Sequence, residues 1–183
     1  MAIAKKKERF FDVDIPLIRK QTQMRAYELS ELNGRFIKYD LTRILRGKNM
    51  IFQGKVEVKE DGALANAYSI KLLPYFLRRM MRKGTNYVED SFSAESKDAQ
   101  IRIKPFLITR RKVSRAVRKA LREKAREELT NYVKDRDTNV LFDEIIKNQL
   151  QKYLSLKLKK IYPLSLCEIR VFKIEKRKSS EKE

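Results

Sequence analysis

The sequence predicts an α+β protein in which an antiparallel, β-barrel-like sheet is packed by long C-terminal α-helices. Up to residue 107, apolar and polar residues alternate with a period of two in several segments, which is typical of half-buried strands. From residue 112 onward, apolar residues recur at steps of four, which is typical of an amphipathic helix. One more alternating segment follows the helices. Strands that precede helices, with a single strand after them, indicate an α+β arrangement.

The predicted strands are alternating segments bounded by turn residues. The first ends at Pro16, and the composition of residues 59–62 predicts a turn before the fourth. Three phenylalanines in these strands, Phe36, Phe52 and Phe92, are predicted to lie in the core. The predicted strands are residues 10–15, 34–41, 50–58, 63–73, 87–94, 100–107 and 166–174.

Helix boundaries are predicted by proline, glycine and capping residues. Pro74 suits the first turn of a short helix that runs to Lys83 and is closed by Gly84. A helix over residues 112–134 follows, and another starts near Thr138 and runs, with a break, towards residue 161. The stripe of the first long helix consists of Val113, Val117, Leu121, Ala125, Leu129 and Val133.

We expect one domain with flexible basic extensions, because the 183 residues contain neither an internal repeat nor a low-complexity linker. Residues 1–9 are predicted to be a basic arm and residues 175–183 a disordered polar tail. The α+β domain then covers residues 10–174. Within it we distinguish a strand-rich part, a helical part and a closing strand, at residues 10–107, 112–161 and 166–174.

The charge of the chain predicts a polyanionic partner. Lys and Arg number 44 against 24 Asp and Glu, which leaves a formal net charge of +20. A compact body with such a surplus repels itself unless a polyanion such as RNA neutralises it. No apolar run reaches the roughly 18 residues that span a bilayer, so no membrane partner is expected and the predicted location is the cytoplasm.

The residue types argue against catalysis and against a metal site. Cys167 is the one cysteine and the chain has no histidine, so an ordinary zinc cluster cannot form. The absence of histidine also removes the side chain most often used as a general acid or base. We therefore predict a protein that is not an enzyme and that has no cofactor, no metal and no small-molecule substrate.

Basic residues concentrate at the N-terminus, in the short helix and between residues 102 and 126, where Glu123 is the one acid. Within the first long helix, five arginines from Arg111 to Arg126 step by four or three and therefore line the side opposite the apolar stripe. Guanidinium groups fit phosphate oxygens two bonds at a time, so we predict RNA contact. The candidate RNA-binding residues are Lys5, Lys6, Lys7, Arg78, Arg79, Arg82, Lys83, Arg102, Lys104, Arg110, Arg111, Lys112, Arg115, Arg118, Lys119, Arg122 and Arg126.

Ile-Tyr-Pro-Leu at residues 161–164, which leads to Glu-Ile-Arg at residues 168–170, is the strongest of several motifs in the chain. Together these motifs resemble the S-three-a-e (eS-one) family of ribosomal proteins from archaeal and eukaryotic small subunits. The resemblance extends from Phe10 to about Lys173. The other matching segments are Phe-Phe-Asp-Val-Asp-Ile-Pro at 10–16, Gly-Arg at 34–35, the arginine-rich short helix at 74–83, and Ser-Arg-Ala-Val-Arg-Lys at 114–119.

This resemblance implies a barrel with appended helices on the platform of the small subunit. It also implies contacts with rRNA near its 3′ end, close to the messenger exit, and with neighbouring platform proteins such as S-eleven. The leading interpretation is therefore a structural constituent of an archaeal-like small ribosomal subunit that supports translation. The alternative is a free nucleic-acid chaperone or an architectural nucleic-acid-binding protein, and the charge pattern alone fits both.

Overall fold

A computed structural model describes residues 7–59 and 62–178, and these residues form the α+β arrangement that the sequence predicts. They divide into two compact units. The first contains the described residues up to Tyr39 together with those between Phe52 and Tyr68, and the second contains Asp40–Ile51 and the described residues from Ser69 onward. Lys5, Lys6, residues 60 and 61 of the predicted turn, and the end of the predicted tail lie outside the described residues.

The first unit is built on short strands and one turn of 3-10 helix at Leu29–Leu32. Its strands are β1 (Arg9–Ile15), β2 (Lys20–Ala26), most of β3 (Phe36–Asp40) and β4 (Met50–Lys59), and the first part of β5 (Gly62–Leu72). β1 pairs antiparallel with β2 and parallel with β5. The buried side chains include Val13, Ile15, Leu32, Ile37, Phe52 and Val56.

Two details of the first unit differ from the sequence prediction. β2 was not predicted, because its sequence Lys-Gln-Thr-Gln-Met-Arg-Ala has few apolar residues, and hydrogen bonding to β1 defines it instead. The prediction that Phe36 lies in the core is wrong, since the side chain is 46% exposed. Ile37 is buried, so strand alternation turns Phe36 to the other face, where its ring lies 4.9 Å from that of Tyr68.

Three strands of the second unit pair with one central strand. β6 (Tyr87–Glu89), β7 (Phe92–Glu95) and β9 (Leu164–Arg177) all pair antiparallel with β8 (Ala99–Thr109). The end of β5 pairs antiparallel with β9, which places Ile70 opposite Phe172. Pro105 lies within β8 at a register shift, where a strand tolerates the missing N–H. β9 continues to Arg177, into the segment predicted as a tail, and the division into arm, domain and tail stays a prediction.

The described residues of the second unit form four α-helices. They are α1 (Pro74–Met80), α2 (Arg115–Lys134), α3 (Thr138–Ile146) and α4 (Gln149–Leu158). The predicted break in the last helical segment is confirmed, because Asn148 has a left-handed backbone with φ of 60° between α3 and α4. α2 packs against β6, β7 and α4, and α4 packs against β9. The buried side chains of α2 are Leu121, Ala125, Leu129 and Val133, four of the six residues of the predicted stripe.

The expected closure of a barrel is not found. Among the described residues the strand order runs β2-β1-β5-β9-β8-β6, with β3, β4 and β7 attached beside it, and no pairing joins β2 to β6. Both terminal strands are poor templates for further pairing. β2 exposes Lys20, Gln21, Gln23 and Arg25, and β6 has only three residues. The sheet therefore stays open.

Asp98, in the turn between β7 and β8, caps α3 from a distant part of the chain. Its carboxylate accepts hydrogen bonds from the Thr138 backbone N–H at 3.0 Å, from the Thr138 hydroxyl at 2.6 Å and from the Ser96 hydroxyl at 2.9 Å. Burial raises the pKa of Asp98, but these hydrogen bonds outweigh it and hold the pKa below the ordinary value of 3.8. The turn is thereby joined to the start of α3.

Replacing Asp98 by asparagine should destabilise the protein at neutral pH and have little effect in acid. A carboxyl group with a depressed folded-state pKa stabilises the fold fully above its unfolded value of about 3.9, and this stabilisation is lost as pH falls through the folded pKa. We expect a loss of about 1 kcal/mol, because the residue is exposed to screening solvent. Urea unfolding of both proteins across the acid range measures it. A difference that is the same at every pH would contradict the expected role of the carboxylate.

Candidate nucleic-acid interface

The arginines of α2 lie on its solvent-facing side, because a capping residue fixes where the helix begins and an apolar stripe fixes which side is buried. The Ser114 hydroxyl caps the helix by accepting a hydrogen bond from the Val117 backbone N–H at 3.3 Å. The buried stripe faces the rest of the unit, so Arg115 and Arg122 on the opposite side are exposed and Arg118 is half-buried. The helix begins at Arg115, so Arg111 lies before it rather than on it.

Asn86 and Thr109 order the segment that leads into α2. The Thr109 hydroxyl donates to the Arg111 carbonyl oxygen at 2.7 Å, and the Val113 backbone N–H donates to the Asn86 side-chain oxygen at 2.9 Å. The Thr109 backbone N–H also donates to the Asn86 carbonyl oxygen at 2.9 Å, the Asn86 backbone N–H donates to the Thr109 hydroxyl at 3.0 Å, and Thr109 is fully buried. This segment carries three of the predicted cations, all exposed to solvent, at Arg110, Arg111 and Lys112.

A groove of about 260 Å³ lies between the first turns of α2 and strand β6. Four of the predicted cations line it from α2, and β6 lines the other side, where Tyr87 is 55% exposed. The Tyr87 ring stacks on buried Phe106, with 6.0 Å between centroids and 17° between ring planes. The residues that line the groove are Tyr87, Val88, Glu89, Arg115, Arg118, Lys119 and Arg122.

The cations of the groove are largely unmatched by acids. Arg115 and Arg122 have no ion-pair partner within residues 7–59 and 62–178. Lys119 lies 3.8 Å from Glu123, but both side chains are more than 60% exposed, so this pair contributes little. The Arg118 Nε is buried and finds no hydrogen-bond acceptor in the described part of the chain. The groove therefore offers guanidinium donors to an anion.

Other cations predicted to bind RNA have acidic partners within the protein. Arg126 pairs with Asp90 at 3.2 Å and lies 5.3 Å from the centre of the Phe92 ring. Arg102 pairs with Glu175 at 2.5 Å, and hydrogen bonds from Ser93 and Arg102 hold the pKa of Glu175 below its ordinary value. The arginine row predicted as five residues thus reduces to Arg115, Arg118 and Arg122.

A second cavity, of about 500 Å³, contains cations that the sequence prediction missed. Lys104, which was predicted to bind RNA, lines this cavity together with Lys71 of β5 and Arg170 of β9, which were not predicted. Glu89 and Asp90 also line it, and Glu89 pairs with Arg170 at 3.0 Å. Lys71 and Arg170 are isolated cations in strands, so no local cluster marked them in the sequence. Only the strand pairings bring them beside Lys104.

The short helix carries the next group of predicted cations, and all four are exposed. α1 ends at Met80, so Arg82 and Lys83 lie after it, before Gly84 with its φ of 83°. Arg79 donates a hydrogen bond to the Gly47 carbonyl oxygen at 3.4 Å and lies 5.5 Å from the centre of the Phe76 ring. The fourth cation is Arg78. Of the predicted basic arm, Lys7 is described and exposed.

Other kinds of site find no support in the described residues. No group of three or more His, Cys, Asp or Glu side chains among them is placed to hold a metal ion, and no helix there is long and apolar enough to cross a membrane. Burial raises the pKa of the Cys167 thiol to about 12. The thiol is therefore protonated at neutral pH and is a poor nucleophile.

The model of the Ribosomal S3Ae family matches residues 5–178, nearly the whole chain. The chain belongs to the Ribosomal S3Ae family. Members are ribosomal proteins rather than enzymes, so the family predicted from the sequence motifs and the non-enzymatic character predicted from the residue types are both confirmed. The charge surplus and the basic groove are thus properties of a protein from a ribosomal family.

Relatives of this S3Ae chain are small-subunit proteins of archaea. It is 24% identical to small ribosomal subunit protein eS1 of Nanoarchaeum equitans over 180 residues, which is 94% of the chain and 91% of that protein. The Halorubrum lacusprofundi eS1 protein is 29% identical over 67% of the chain, and the Pyrobaculum aerophilum eS1 protein is 30% identical over 62%. These last two alignments span 58% and 52% of the relatives, little more than half of their length.

Proposed function

We propose that the protein is a structural constituent of the small ribosomal subunit in the cytoplasm, where it binds rRNA and supports translation. The proposed binding residues are the cations that line the α2 groove and the cations of the segment before α2. The exposed cations in α1 and directly after it also belong to this set. The proposed location is the platform near the messenger exit, with the 3′ region of the rRNA and neighbouring platform proteins as partners. The family membership and the archaeal eS1 relatives support the assignment to the small subunit.

The single observation that carries rRNA binding is the row of Arg115, Arg118 and Arg122 without acidic partners. Arg115 and Arg118 occupy the first turn of α2, which contains no acid. A helix N-terminus is electropositive, so each cation there costs about 0.3–1 kcal/mol at low ionic strength. Like charges one turn apart add a similar cost. A phosphate backbone that binds the row removes both costs.

Backbone contact, rather than base-edge reading, is the main mode that this surface supports. Arginine and lysine side chains contact phosphates without regard to sequence, and the net charge of +20 draws the whole chain towards RNA. About ten phosphate contacts would make the affinity fall roughly a thousandfold or more between about 50 and 200 mM salt. Filter binding to small-subunit rRNA over that range measures the slope.

Sedimentation of a tagged chain in lysate from its native cell tests the assignment to the subunit. We expect the tag to comigrate with small-subunit rRNA in a sucrose gradient and to remain there after a salt wash. An assembled protein makes many contacts with the subunit, and together they keep it bound. Residence at the top of the gradient, or with DNA, would contradict the proposal and favour the free chaperone. An identical gradient after ribonuclease treatment shows whether the comigration depends on RNA.

A further inference from the structure

We propose that the groove between α2 and β6 is a binding site for a single unpaired nucleotide, with the base stacked on Tyr87 and the phosphates on the α2 arginines. This inference rests on the proposed RNA binding and adds a ligand class to it, namely single-stranded RNA. The sequence prediction identified the cations of this groove but not Tyr87. The site therefore depends on a juxtaposition of two segments that are nearly thirty residues apart in the chain.

Tyr87 has the properties of a stacking platform. Tyr87 lines the groove and is 55% exposed, and its ring stacks on the ring of Phe106, a core residue that is 1% exposed. The backbone is held by β6, in which Tyr87 lies opposite Ile108 of β8. An aromatic ring that is both exposed and supported offers a flat apolar face without the entropic cost of ordering a mobile side chain.

The cations around this ring are placed for the phosphates on either side of a stacked base. Arg115, Arg118 and Arg122 rise along α2 at about one turn, or 5.4 Å, per step. Arg118 lines the groove in the middle of this row, and its buried Nε has no acceptor among the described residues. Glu89 also lines the groove, but its carboxylate pairs with Arg170 at 3.0 Å, which reduces its repulsion of a phosphate.

An unpaired nucleotide fits these features better than a duplex or an acidic peptide. Bases within a duplex are stacked on each other, so a duplex would reach the cations and leave the tyrosine unused. An acidic peptide would likewise satisfy the arginines alone. Base stacking on an aromatic side chain combined with a basic track is the usual mode of single-strand binding.

The test compares three RNA ligands of the same length. They are an unstructured single strand, the same strand with abasic sites in place of bases, and the duplex formed with its complement. Each is titrated by fluorescence anisotropy against the full chain and against Tyr87→Ala and Tyr87→Phe. Tyr27→Ala is the matched control, because Tyr27 is also exposed, at 42%, and does not line the groove.

We expect Tyr87→Ala to weaken binding of the intact single strand by about 5- to 150-fold, the usual effect of losing one base–aromatic stack. Duplex affinity and the slope of affinity against salt should not change, because no phosphate contact is lost. Tyr87→Phe should bind like the unchanged protein. The unchanged protein should bind abasic RNA as weakly as Tyr87→Ala binds the intact strand, and this result does not depend on whether a variant folds.

Three results that contradict the expectation have different meanings. Equal affinity of the unchanged protein for intact and abasic RNA, or equal losses for duplex and single strand in Tyr87→Ala, would overturn the stacking site and leave rRNA binding by the arginines standing. No measurable affinity of the unchanged protein for any of the RNAs would overturn the proposed RNA binding itself. Displacement of RNA by polyglutamate at equal charge concentration, with no effect of Tyr87→Ala, would favour an acidic protein partner.

Discussion

Replacing Arg115, Arg118 and Arg122 together by glutamate should lower the affinity for small-subunit rRNA by at least about a thousandfold. Hydrogen bonds between charged partners contribute about 1.5 kcal/mol or more each, and three of them amount to roughly three powers of ten in affinity. The glutamates add repulsion of the phosphates. The slope of log affinity against log salt should also become shallower by about two to three, since about 0.7–0.9 is lost per contact.

The same triple variant should fold and remain nearly as stable as the unchanged chain. Arg115 and Arg122 are exposed, and among the described residues none of the three arginines forms an ion pair that would be broken. Glutamate in the first turn of α2 interacts favourably with the helix dipole, where arginine does not. This gain offsets the lost packing of the half-buried Arg118 stem, so we expect a change below about 1 kcal/mol.

Binding and stability are therefore expected to change independently in this variant. Filter binding to small-subunit rRNA measures the first, and urea unfolding followed by circular dichroism measures the second. The matched control is Lys38→Glu, Lys55→Glu and Lys152→Glu, which changes the net charge equally at exposed lysines without ion-pair partners in the described residues. An equal loss of affinity in that control would show that net charge, and not the groove, determines binding.

Replacing Lys48 by alanine should destabilise the fold by about 3–5 kcal/mol, the usual cost of leaving one member of a buried ion pair unmatched. Lys48 Nζ lies 2.6 Å from Glu168 Oε2, and the two side chains are only 10% and 12% exposed. Lys48 also donates a hydrogen bond to the Asn148 side-chain oxygen at 2.6 Å. The lysine thus joins the segment between β3 and β4 to the α3–α4 junction and to β9.

A double replacement separates the cost of an unmatched charge from the value of the pair. Lys48→Met combined with Glu168→Leu removes both charges and should recover most of the stability that Lys48→Ala loses, because apolar pairs often replace buried ion pairs without loss. Urea unfolding at neutral pH compares the variants. Lys147→Ala is the control, since Lys147 pairs with Asp143 at the surface at 2.5 Å and should cost less than about 1 kcal/mol. Equal effects of the two alanines would contradict the prediction.

The strand and helix order was largely predictable because each element carries its own period. The stripe of α2 buries Leu121, Ala125, Leu129 and Val133 as expected, and the alternation of β1 buries Val13 and Ile15. β2 was not predictable, since its polar residues carry no alternation and its partner, β1, defines it. Barrel closure was also not predictable. Alternation reports which side of a strand is buried, but not which strand lies at an edge.

The cations of the candidate site could be predicted from the sequence, but which of them are paired with acids could not. The row on α2 follows from helical spacing alone, so Arg115, Arg118 and Arg122 could be identified from the sequence. The sequence could not show that Arg102 and Arg126 are paired with Glu175 and Asp90, because these acids are distant along the chain. Tyr87, Lys71 and Arg170 were missed for a related reason. Each is a single residue in a strand, and its neighbours belong to other elements.

The sequence by itself determined the family, the class of fold and the positive net charge, which predicts a polyanionic partner. These properties follow from composition and from short-range patterns, which report the local environment of each residue. The tertiary structure alone decided which cations remain available, that Tyr87 stands beside them, and that Asp98 and Lys48 join distant segments. These properties depend on distances between residues far apart in the chain. Such distances exist only once the strands have paired and the helices have packed, because an ion pair or a stacked ring acts over a few ångströms.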